Sequence, residues 1–175
     1  ALFGLEKSTP IIVPLETVKS LPSLYFSESM GNGQINPDYK DTLLEILQED
    51  IQKSYHFDLV MGKLDMEPLV SGPLQKQVKE LSAFKSDFIL LPKIEQKKFI
   101  LKLYEPRFHT STLIGEFPIK EKLDLDRLAM HQLFDALHQK IFQQSGIASS
   151  KILFCRKTAD IEGEWISDIY EIQQD

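Results

Sequence analysis

The chain is poor in everything that usually announces chemistry. It has one cysteine, Cys155, among 175 residues, so no intramolecular disulfide can form and the thiol decides no compartment. Its place inside the run Lys151-Ile-Leu-Phe-Cys-Arg156 predicts a small buried hydrophobe in a strand. Long apolar runs are missing too. The longest, such as Phe88-Ile-Leu-Leu91, have strand length, far short of the roughly 20 residues of a membrane-spanning helix, and no membrane insertion is expected. The start, Ala1-Leu-Phe-Gly4, has neither a basic region nor a long apolar one, so no secretory signal is expected within the chain as it stands. Positive charge is scarce: 20 Lys and Arg face 26 Asp and Glu, for a net charge of −6. The lysines are scattered, which argues against a nucleic-acid partner. Glycine clusters only at Gly31-Asn-Gly33, without the strand-turn-helix setting and lysine of a phosphate loop. No Gly-x-Ser-x-Gly elbow occurs, and no serine stands in a triad context.

What remains is the composition of a globular domain, 42% hydrophobic and 26% charged, in a length that suits one domain rather than two. The most strongly patterned stretch is Asp124 to Gln144, where Leu125, Leu128, Met130, Leu133, Phe134, Leu137, Ile141 and Phe142 recur at offsets of three and four and predict one long amphipathic helix. Asp124 and Asp126 suit its positive end, and Gly146 is the expected left-handed stop. Ahead of it, Thr9-Pro-Ile-Ile-Val-Pro-Leu15 reads as a first strand bracketed by prolines. Thr17 to Asp38 reads as a functional or mobile loop. Asp41 to Lys53 is a helix entered through Asn36-Pro-Asp38, Phe57 to Met61 a short strand, and Gly72 to Lys85 a second helix. Asp87 to Ile94, continuously apolar, predicts a strand covered on both faces. With Lys98 to Tyr104 and Thr112 to Ile119 it forms an expected antiparallel meander, and Lys151 to Arg156 and Glu164 to Ile172 close the chain as strands. The order predicts an α/β fold, a mixed sheet of about five strands with three helices packed on it, plus a C-terminal strand pair.

Three side chains of the long helix, His131, Asp135 and His138, sit at offsets of four and seven and could share one face. A metal or acid/base role is one reading of them. The plainer one is helix support, because a structural zinc site wants three or four converging ligands. His56 and His109 fall in loops with no identifiable partner. The expectation is therefore no catalytic residue, no metal and no cofactor.

The ordered pattern resembles the N-terminal domain of the TolB family of Tol-Pal periplasmic proteins. Ile11-Ile-Val-Pro-Leu15 is similar to that family's first strand. Leu81-Ser-Ala-Phe-Lys-Ser-Asp-Phe-Ile-Leu-Leu91 is similar to its helix-to-strand junction, Ile141-Phe-Gln-Gln-Ser-Gly146 to its helix end, and Ser150-Lys151-Ile152 to the strand start that follows. The loop after Gly146 and the segment ahead of Ile11 are both shorter than the family's. The resemblance implies a TolB N-terminal-like domain over residues 10–148, a flexible segment at 1–9, and a linker with the first strands of a truncated β-propeller at 149–175. It also implies a non-enzymatic periplasmic interaction domain that supports outer-membrane integrity, cell division and envelope transport. A TolA-like inner-membrane protein would be engaged through Leu2, Phe3 and Leu5. Pal binding would belong to the full-length protein, whose propeller is missing here. The alternative is a small nucleotide- or RNA-associated domain of the anticodon-binding kind, against which the acidic balance speaks.

Overall fold

The computed structural model describes residues 20–27, 35–62, 65–81, 84–159 and 165–173. The elements run β1 (Ser23–Phe26), α1 (Pro37–Ser54), β2 (Asp58–Met61), α2 (Glu67–Val70), α3 (Leu74–Leu81), β3 (Phe88–Glu95), β4 (Lys98–Glu105), β5 (Thr110–Pro118), α4 (Leu123–Phe142), β6 (Lys151–Ala159) and β7 (Trp165–Gln173). Five strands form one mixed sheet in the order β2-β1-β3-β4-β5, and β6 and β7 form a separate pair. β1 pairs in parallel with β2 and with β3, as strands joined through helices must be connected. β3, β4 and β5 form the antiparallel meander.

One reading of the sequence is corrected at once. Ser23–Phe26, placed within a loop, is a central strand of the sheet, hydrogen-bonded to neighbours on both sides. Four residues between turn-forming neighbours are too few to show a period, yet Leu24 and Phe26 alternate inward and are almost fully buried. The strand expected at Thr9–Leu15, the Gly31–Gly33 cluster and Leu2, Phe3 and Leu5 lie outside the described residues.

Helix α1 starts as its sequence requires. The Asn36 side chain accepts the Asp38 N–H at 2.9 Å and Pro37 takes the first turn, where its missing N–H costs nothing. It stops at Tyr55 in the left-handed conformation, φ 55°. Helix α4 stops in the same way one residue after Phe142, at Gln143, φ 57°. Gly146 is therefore not its cap. Its value is room: a Cβ there would stand 2.6 Å from the Asp135 Cα, so only glycine lets the connector after α4 fold back on the helix.

The sheet separates two cores. On one face Leu24, Phe26, Leu90, Ile94, Phe99, Leu101 and Leu103 meet Leu43, Leu47 and Ile51 of α1 and Met130, Leu133, Phe134 and Leu137 of α4. On the other, Ile89, Leu91 and Tyr104 meet Met66, Val70 and Leu81. β3 sends alternate residues into both, which is why Phe88 to Pro92 is continuously apolar. The one-turn helix α2, unmarked in the sequence, is held by its surroundings. The Met66 N–H donates to the Ser27 hydroxyl at 2.9 Å, and Lys102 of β4 reaches Glu67 at 2.7 Å.

β6 and β7 pair over nine rungs, from Lys151 with Gln173 to Ala159 with Trp165. This is the C-terminal strand pair expected from the sequence. Cys155, expected buried, is exposed, because a two-stranded ribbon has no second layer to bury it.

Candidate functional site

Helices α1 and α4 lie side by side on the larger core, and three polar contacts cross their seam. At one end the buried Asp126 carboxylate accepts the Tyr39 hydroxyl at 2.7 Å and the Lys120 N–H at 3.1 Å. Burial, and then the neighbouring Asp126, push the Tyr39 hydroxyl well above its ordinary value of 10.0, since both disfavour the phenolate. Midway, His131 Nδ1 meets Asp50 Oδ2 at 2.7 Å, with both side chains 11% exposed. At the far end, His138 Nε2 meets His56 Nδ1 at 2.7 Å. Each is a polar group inside an apolar seam that has found a partner, as burial demands.

The three helix side chains singled out in the sequence are thereby separated. His131 turns to α1, Asp135 turns to the connector, and His138 turns to the linker between α1 and β2. Asp135 accepts the Ala148 N–H at 2.8 Å, the Ser149 N–H at 3.0 Å and the Ser149 hydroxyl at 2.5 Å, which fixes the start of the path toward β6. Among the described residues no three His, Cys, Asp or Glu side chains converge as metal ligands would. His56 and His109, read as partnerless, are not: His56 joins His138 across 82 positions of sequence, and His109 Nδ1 lies 3.2 Å from the Tyr104 hydroxyl. No local pattern could have found His56, because its partner is brought by tertiary packing alone.

With both rings neutral, one proton arrangement satisfies the contacts of the histidine pair. His138 Nδ1 lies 3.1 Å from the Gln144 carbonyl, which can only accept, so Nδ1 carries the hydrogen and Nε2 the lone pair. His56 Nδ1–H is then the donor between the rings. The pair borders a cavity of about 340 Å³ whose lining includes Asp50, Ser54, Phe134 and Ile147.

A larger cleft, about 720 Å³, opens where β1 and β3 begin and includes Phe84, Lys85, Asp87, Arg107, Phe108 and His109. Asp87 is already engaged, accepting the Ser23 N–H at 2.8 Å, and Arg107 lies over the Phe108 ring at 5.6 Å. In open α/β sheets, small ligands sit beyond the carboxyl ends of parallel strands, which is the opposite edge. There, the described residues Ser27, Pro92 and Lys93 border a cavity of about 30 Å³. No feature of this site favours the nucleotide- or RNA-associated reading.

Comparison with known proteins places this architecture. No family model matches the chain. The chain is 27% identical over 173 residues to the protein TolB homolog of Protochlamydia amoebophila, a match that covers 95% of this chain and 37% of that protein. It superposes on the crystal structure of TolB from Acinetobacter baumannii with a TM-score of 0.58 at 15% identity, over 87% of this chain and 36% of the other. The chain thus spans little more than a third of the length of either. In sequence it is similar to a TolB homolog, and in fold it is similar to part of TolB.

Proposed function

We propose that this chain is the N-terminal interaction domain of a Tol-Pal-related periplasmic protein and that it works by recognition rather than catalysis. The observation that carries the reading is the likeness to a TolB homolog along nearly the whole chain, joined to a sheet-and-helix body of the TolB kind. The body is a platform. Its polar seam is spent on holding α1 against α4.

Two segments flank that platform in the sequence. Residues 1–9 are the proposed contact for a TolA-like inner-membrane partner, with Leu2, Phe3 and Leu5 as apolar anchors that add to a partner sheet. Residues 149–175 are the linker and opening strands of a β-propeller, which in a full-length protein would take Pal. Exposed Ile152, Leu153, Ile169 and Tyr170 on an isolated pair of strands support this assignment, because such side chains are normally covered by a neighbouring sheet. In this role the protein supports outer-membrane integrity, cell division and envelope transport.

Calorimetric titration with a TolA C-terminal domain, with and without residues 1–9, tests the reading. Binding that is lost with the segment supports it. Equal binding by both proteins removes the segment's role, and binding by neither removes the TolA-like partner.

A further inference from the structure

The histidine pair at the end of the α1–α4 seam is a proton-counting contact, and we infer that His56 is an acid-released latch over the cavity beside it. Two imidazoles whose nitrogens lie 2.7 Å apart must have one hydrogen between them. With His138 Nδ1–H held by the Gln144 carbonyl at 3.1 Å, one added proton is accommodated without movement. It enters at His56 Nε2, and His56 Nδ1–H still donates to the His138 lone pair. A second proton has only His138 Nε2 to occupy, and there it faces the His56 N–H head-on, two donors and two positive charges with no acceptor between them.

One ring must then leave, and the surroundings decide which. His138 is buried, on α4, and tied to Gln144 by a hydrogen bond that protonation strengthens. His56 is exposed, in the two-residue stretch between Tyr55 and β2. Besides His138, its ring packs on Phe142, at 5.4 Å between centroids. His56 therefore swings out. Its departure uncovers Phe142 and widens the 340 Å³ cavity lined by both histidines.

The charged groups around the pair leave this proton count intact. From α1, Asp50 is engaged by His131 at 2.7 Å and Lys53 by Glu49 at 2.9 Å. From α4, Asp135 is engaged by Ala148 and Ser149. The connector contributes the Gln144 carbonyl, Ser145 and backbone to the cavity. The unperturbed imidazole changes charge between about pH 5 and pH 8, which sets the range over which the latch is tested.

The experiment compares the native chain with His56→Gln, an exposed change whose amide can donate to His138 or accept from it by turning over. Thermal unfolding at about pH 8 and pH 5 should show the native chain losing about 2–4 °C more than His56→Gln. His131, His109 and the carboxylates respond alike in both proteins and cancel. In the native chain the nuclear Overhauser contact between the His56 and Phe142 rings should be present at the higher pH and gone at the lower. Equal acid losses in the two proteins, or a His56–Phe142 contact that persists in acid, would overturn the latch.

Discussion

The five-stranded sheet and the β6–β7 pair are built from similar text, short apolar runs bounded by turns, yet they fare oppositely. In the sheet, Leu24, Ile89, Leu90, Phe99 and Leu101 are completely buried. In the strand pair, Leu153 is 66% exposed and Ile169 78%. The difference lies in layering. β3 has a helix pair on one face and Met66, Val70 and Leu81 on the other, whereas among the described residues the ribbon strands pair only with each other. A strand's own hydrophobicity states that a neighbour is needed, and tertiary structure decides whether one is supplied.

That contrast can be broken by substitution. The largest effect belongs to the sheet's helix-covered face: Leu47→Ala removes a completely buried side chain and should cost about 2–5 kcal/mol, read by urea unfolding. Gly146→Ala should follow, at about 1–3 kcal/mol, because the new methyl meets not only the Asp135 carboxylate oxygen but also its Cα, which cannot move aside. An unchanged unfolding midpoint would mean that the connector does not pack on α4.

Tyr39→Phe leaves the buried Asp126 short of one donor and should cost about 1–3 kcal/mol near neutral pH. It should also alter the alkaline limb. Because the Tyr39 hydroxyl is raised above 10.0 by burial and Asp126, the folded state keeps its proton where the unfolded chain gives it up. The stabilisation is present in full below pH 10 and is lost as pH climbs above it. The phenylalanine variant should lose less over that range, measured as unfolding midpoint against pH.

The smallest effects belong to the ribbon. Ile169→Ala should change stability by about 0.5 kcal/mol or less, since that side chain touches mostly solvent. A large loss there would mean that the ribbon is covered in solution. Exposed Cys155 should react fully with a maleimide in the native protein without denaturant, and protection would carry the same message.

Much of the architecture was legible in residues alone. Asn36-Pro-Asp38 marked the start of α1, the three-and-four spacing from Leu128 to Phe142 marked α4, and the unbroken run from Phe88 marked a doubly covered strand. β1 was not legible, because Ser23–Phe26 is four residues long and its strand character comes from pairing with β2 and β3. The same holds for α2, a single turn without a cap side chain. His131, Asp135 and His138 were visible as a group on one helix, but their partners were not. Asp50, the Ala148–Ser149 backbone and His56 come from other elements, and helical spacing carries no trace of them.

By itself, then, the sequence determined the period of each long element, the helix start at Asn36, the mixed α/β class and the apolar demand of β3 and β6, because these are local consequences of side-chain spacing and backbone chemistry. Only the tertiary structure decided that the apolar demand of β3 is met and that of β6 is not, and that Gly146 serves close packing rather than a cap. It also decided that His138 faces His56 instead of its helix neighbours. Each of these depends on which surfaces meet across tens of residues, and the free energy of that meeting is written in no single stretch of chain.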